Sequence, residues 1–209
     1  LNKKETKSML TKKKITEAAK QLFIQKGYAS TSMENISEAT GISKGNIYYH
    51  FDSKEGLFIH VLDEWEQEWM EQWEDQKKQY STTAEQLHAI AKHFVINDYN
   101  HPLTNVADEF FSHEKSNSLI QNQLYKTINT RISYSQKLLS EGMQSGELKP
   151  DDSLLLAKIF DTLLYGLNNT CRDLNMKETL DLYAKAIDSF LYGIASADSL
   201  HTSGHPSES

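Results

Sequence analysis

Residues 31–54 read TSMENISEATGISKGNIYYHFDSK, from Thr31 to Lys54, and this stretch decides the fold. Thr31 followed three residues later by Glu34 has the spacing of a capping box, which predicts a helix start. Ile36 and Ala39 offer that helix a small apolar face. Gly41 stops it, because glycine accepts the left-handed backbone that closes a helix. Ser43 is a natural cap for a second helix over Lys44–Tyr49. Two short helices across a glycine turn make a helix-turn-helix, whose second helix enters the DNA major groove. That helix is too polar to be core. It presents Ser43, Lys44, Gly45, Asn46, Tyr48, Tyr49 and His50, groups able to bond phosphates and base edges. Thr31 and Lys54 flank the motif and complete the candidate DNA-binding set. Within it, Lys44 and Lys54 are expected on phosphate, Gly45 to allow close backbone approach, and Asn46 on a base edge.

Working outward, Phe23, Gly27-Tyr28, Thr31-Ser32, Gly41-Ile42, Tyr48-Tyr49-His50-Phe51 and Lys54-Glu55-Gly56-Leu57 together resemble the DNA-binding segment of the TetR family of bacterial regulators. The resemblance covers about the first quarter of the chain. It implies an all-helical protein and a homodimer joined through a four-helix interface from the last two helices of each subunit. It also implies a double-stranded DNA operator as partner and a small-molecule effector that releases it. EWMEQW at Glu68–Trp73 and HPLTN at His101–Asn105 are similar to segments of multidrug-sensing members.

Charge is divided along the chain. Residues 1–60 carry ten lysines against six acidic residues, while the whole chain of 209 residues has a net charge of −7. A basic head on an acidic body suits a protein whose head alone meets phosphate. Lys12, Lys13 and Lys14 fit either phosphate contact or a solvated helix start. Three prolines and nine glycines leave long stretches free of helix breakers. Periodicity then predicts helices over roughly 11–26, 32–40, 44–49, 53–73, 84–98, 103–113, 118–145, 153–171 and 177–195. The expected fold is all-α: a three-helix DNA-binding head over 1–54, a helical ligand-binding and dimerisation body over 55–195, and a disordered tail over 196–209.

Trp65, Trp69 and Trp73 recur every four residues amid Glu64, Glu66, Glu68, Glu71 and Glu74. Aromatic faces and carboxylates both attract cations. Trp65, Glu66 and Trp69 are therefore candidate ligand residues, and Trp73 is expected to be core. Tryptophans that merely seal the body remain an equal alternative for Trp65 and Trp69. By the resemblance, later helices would add Asp98, Tyr99 and Asp108, whereas Ile128 and Arg131 stand where a carboxylate and a tyrosine are expected. Arg131 would instead serve an anionic ligand. The apolar residues of the last two helices, among them Leu155, Ile159, Leu163, Tyr183, Ile187, Phe190 and Ile194, exceed what one core-facing stripe needs.

No nucleophile, phosphate-loop, dinucleotide or zinc motif is present, so an enzyme is not expected, nor a cofactor or a metal. Cys171 reads as a small buried thiol, and Glu109 with His113 as a surface pair. The single cysteine, the lack of a leader and the lack of an 18-residue apolar run point to a cytoplasmic protein without a membrane partner. A helical ligand-binding or scaffolding protein whose helix-turn-helix only packs remains the alternative. Such a motif would carry apolar residues in place of Lys44, Asn46 and Tyr49.

Overall fold

A computed structural model of the chain describes residues 2–98, 101–113, 118–171 and 173–192. Tyr99, Ile194 and the expected tail lie outside the described residues. Among those described, nine α-helices and no strand occur, as expected: α1 Lys3–Lys26, α2 Met33–Thr40, α3 Lys44–Phe51, α4 Lys54–Gln76, α5 Thr83–Asn97, α6 Pro102–His113, α7 Ser118–Ser145, α8 Ser153–Thr170 and α9 Met176–Tyr192. None of them is long and apolar enough to cross a membrane.

Capping chemistry sets most boundaries. The Asn2 side chain and Glu5 form a reciprocal capping box, which starts α1 eight residues before the predicted Thr11. Apolar periodicity missed that turn because nothing buries there. The α2 box is Ser32 with Asn35, not Thr31 with Glu34. The buried face of α2 is accordingly Met33, Ile36 and Thr40, while Ala39 is exposed. Gly41, at φ 67°, closes α2, and its N–H donates to the Ser37 carbonyl. Ser53 caps α4 as predicted, and Asp152 caps α8 by accepting from Leu154 and Leu155.

The chain forms two compact units. The first gathers α1–α4, α6 and α7 as far as Arg131; the second gathers α5 to Ile96, α7 from Ile132, α8 and α9. Compactness thus does not divide the chain at the expected residue 54, because α4 and α6 share the core of the head. That core is aromatic: Phe58 lies 4.8 Å from Phe23 and 4.8 Å from Phe110, and Tyr28 lies 4.7 Å from Phe110, ring centre to ring centre. Ile15, Ile36, Ile47 and Leu57 close around these rings and are fully buried. Each such side chain contributes about 1.5–3 kcal/mol.

In the second unit, Leu87, Phe94, Phe160, Tyr183 and Ile187 are buried. The Tyr183 hydroxyl donates to the Leu164 carbonyl at 2.6 Å, tying α9 to α8. Tyr183 and Ile187 therefore belong to the unit's own core, and not to the apolar surplus of the last two helices. Leu154, Leu155 and Ile159 are 41, 56 and 43% exposed, so α8 carries an outward apolar face. Cys171 is buried.

Candidate DNA interface and ligand site

Helix α3 is held by only two inward residues, Ile47 and Phe51. Most of the rest of it is exposed. Ser43 caps the helix and accepts from the Asn46 N–H. Ser43, Lys44, Gly45, Asn46, Tyr48 and Tyr49 are exposed, with Tyr49 at 81%, and His50 is half-buried edge-on to Tyr49. A Cβ on Gly45 would meet nothing, so the backbone there lies open to a partner. Lys44 forms an ion pair with Glu34 across the turn. That pair, together with local backbone bonds, holds the Glu34 carboxyl below the usual range.

Two expected contacts are corrected. Thr31 is 1% exposed, and its hydroxyl donates to the carbonyls of Gly27 at 2.8 Å and Leu22 at 3.2 Å. It locks the α1–α2 turn from inside and cannot offer that hydroxyl to phosphate. The Lys54 ammonium donates to the carbonyls of Tyr28 at 3.0 Å and Thr31 at 3.1 Å, and lies 4.2 Å from the Tyr28 ring centre. It is a tie between α4 and the α1–α2 turn rather than a phosphate contact. Lys14 is likewise engaged, donating to the Thr40 carbonyl at 2.8 Å, and Lys12 lies over the Phe51 ring.

Glu109 is half-buried and has its partners in the α1–α2 turn. Its carboxylate accepts the backbone N–H groups of Tyr28 and Ala29, both at 3.0 Å. It is a clamp from α6 onto the head, while the side chain of His113, its expected surface partner, lies outside the described residues. Gly27, at φ 81°, is needed beneath it, since a Cβ there would lie 2.9 Å from a Glu109 oxygen. The Gly-Tyr pair was visible in sequence, but not its partner on another helix.

The ligand candidates fall into two groups. Trp65 stacks on His101, 4.7 Å between ring centres and 22° between planes, and the His101 Nδ1 accepts the Leu103 N–H in the first turn of α6. Burial holds the His101 imidazole below its usual pKa, with Lys20 adding to the effect. Asp98 forms the second group with Glu66, Trp69 and Arg131. Burial, aided by the Glu66 charge, raises the Asp98 carboxyl to about 7 against the opposing pull of Arg131 and the Trp69 indole. Glu66, Trp69, Asp98 and Arg131 are all half-buried. Asp108 is exposed and leaves the candidate set. Trp73 is fully buried, as expected.

Residues 15–61 match the family described as bacterial regulatory proteins, tetR family, and residues 65–196 match that described as QacR-like protein, C-terminal region. The HTH-type transcriptional regulator QacR of Staphylococcus aureus is 31% identical over 187 residues, 90% of this chain and 100% of the relative. The fold is similar to that of the transcriptional regulator FadR from Bacillus subtilis in complex with stearoyl-CoA, with a TM-score of 0.72 at 23% identity, over 87% of this chain and 98% of that one. It is also similar to a cysteine mutant of the TetR family regulator CifR complexed with 26bp double-strand operator DNA, with a TM-score of 0.69 at 20% identity, over 85% and 95% of the two chains.

Proposed function

The chain belongs to the TetR family of bacterial regulatory proteins, with a QacR-like C-terminal region, and is a DNA-binding transcriptional regulator with a ligand-binding body; we propose that it represses transcription as a homodimer and leaves its operator when a lipophilic cation binds beside Trp65, Glu66, Trp69 and Asp98. The exposed polar face of α3 supports the DNA half of this reading. Lys44 contacts phosphate, Asn46 reaches a base edge, and Gly45 lets the backbone approach; Ser43, Tyr48, Tyr49 and His50 position the helix. Two heads on one dyad read half-sites about 34–36 Å apart. The exposed Leu154, Leu155 and Ile159 of α8 supply the dimer face.

The observation that carries the effector half is the carboxylate pair Glu66 and Asp98 beside the Trp69 indole and Arg131. A buried carboxylate near neutrality gains by ionising against a cation, and the aromatic faces add to that attraction. Entry of the ligand displaces His101 from Trp65 and moves the start of α6. Glu109, two turns further along α6, carries the movement to the α1–α2 turn of the head. The ligand favours the DNA-free state only by its differential affinity for that state.

The test pairs tryptophan fluorescence with DNA release, using cationic, neutral and anionic hydrophobic compounds on a duplex selected from randomised DNA. Cations that quench and release DNA are the expected result. Release by anions alone overturns the cation reading and gives the site to Arg131. DNA affinity that does not fall with salt overturns the DNA reading.

A further inference from the structure

The first eight residues of α1 lie outside every core. From Lys3 to Leu10 the helix is exposed at each position, burial begins only at Ile15, and the family match starts there too. Over residues 3–14 the helix carries six lysines and a single acid, Glu5, whose carboxylate is tied to the Asn2 N–H at 2.8 Å. Lys3 and Lys7 stand four residues apart, so their charges repel each other in the free protein. An anionic partner would relieve that repulsion.

The direction of the ridge is fixed by Lys14. Its ammonium bonds the carbonyl of Thr40, the last residue of α2, immediately before the Gly41 turn. At about 100° per residue, Lys3, Lys7 and Lys14 fall within about 40° of one another around the helix, with Lys4 at the border. The face of α1 that meets the helix-turn-helix therefore continues upstream as a line of lysines. From Lys14 to Lys3 it runs for about 16 Å at 1.5 Å per residue.

Building on the DNA-binding reading above, we infer that Lys3, Lys4 and Lys7 form a second phosphate-binding surface that grips the duplex backbone flanking the sequence read by α3. The occupant is DNA rather than another polyanion because the ridge shares its face with the contact to the helix-turn-helix. A helix preformed by the Asn2–Glu5 box offers these charges without an ordering cost at binding. The surface adds affinity and carries no sequence preference, since it meets phosphate alone.

The test uses the full chain with Lys3, Lys4 and Lys7 all replaced by alanine, changes that leave the buried core untouched. Circular dichroism and thermal melting establish that the variant folds. Lys7→Glu serves as a second, single-site variant. Each protein is titrated over a range of salt on two duplexes: the selected site alone, and the same site with about ten flanking base pairs on each side. The expected result is a salt slope shallower by about 0.9 per lost lysine contact on the long duplex, with little change on the short one. Equal slopes for wild type and both variants on the long duplex overturn the inference, while a normal effect of Lys44→Ala in the same assay leaves the DNA-binding reading standing. A wild-type protein that binds neither duplex overturns that reading and the inference together. Anionic phosphatidylserine vesicles are the control polyanion. Lysine-dependent vesicle binding with an unchanged DNA slope assigns the ridge to a membrane surface and rejects it as a DNA grip.

Discussion

Lys44 and Lys54 carry the same charge in the same short motif, yet only one faces outward. Lys54 is taken by two backbone carbonyls and the Tyr28 ring, whereas Lys44 meets a carboxylate it can leave. Sequence gives residue type and spacing; it does not say which lysine a folded turn has already engaged. Thr31 makes the same point, its hydroxyl drawn inward by carbonyls that exist only once α1 has ended. Two predictions belong here. Gly45→Ala fills open space, so it stabilises the free protein by up to about 1 kcal/mol through helix propensity. The added methyl stands between backbone and DNA, so operator affinity falls by about tenfold or more, about 1.4 kcal/mol. Denaturant melts and a binding titration on the same sample separate the two effects; an unchanged affinity removes Gly45 from the interface. Glu34→Gln acts in the opposite direction. It frees Lys44 from its competitor and removes a negative charge beside the phosphates, raising affinity by about two- to fivefold. The gain is largest at low salt, and fluorescence anisotropy across a salt series measures it.

At the scale of elements, the helices were legible in sequence and their couplings were not. Apolar spacing placed α5, α7 and α8 within one or two residues of their observed ends, because burial writes a periodic pattern. The start of α1 escaped because its cap chemistry, Asn2 with Glu5, precedes any buried residue. The Glu109 clamp escaped for a different reason: its partners lie 81 and 80 residues away and are backbone amides, which leave no mark on side-chain identity. Removing that carboxylate leaves two amides to find new partners. Glu109→Ala is expected to destabilise the chain by about 1–3 kcal/mol. Glu109→Gln keeps one acceptor oxygen and costs less. The sharper expectation concerns coupling: in Glu109→Gln the effector binds as tightly as in wild type by fluorescence, but releases DNA less completely. If release stays complete at saturating effector, Glu109 is only a structural link.

For the molecule as a whole, charge is the property the sequence disclosed first, in the contrast between a basic head and an acidic remainder. What it could not disclose is that one of those acids, Asp98, is held near neutrality by burial and by Glu66. The consequence for stability has a definite sign. The folded carboxyl titrates at about 7 against 3.8 when unperturbed, so the native state holds the proton more tightly than the unfolded chain. Stability from this group is fully present below about pH 4 and is lost as pH rises through 7, an effect on the order of 2–4 kcal/mol. Asp98→Asn removes the penalty. It should raise the denaturation midpoint at pH 8 and leave it nearly unchanged at pH 4.5, as urea melts across that range would register. The effector then follows the same linkage. A bound cation stabilises the ionised carboxylate, so binding expels a proton below pH 7. Affinity should climb by up to about tenfold per pH unit between pH 5 and 7 and level off above. Calorimetry in buffers of different ionisation enthalpy counts the released proton directly. In Asp98→Asn both the climb and the proton disappear while Trp65 fluorescence still reports binding. A cation whose affinity is flat from pH 5 to 8 in the wild-type protein would show that it sits away from Asp98, and would move the site toward the Trp65–His101 stack.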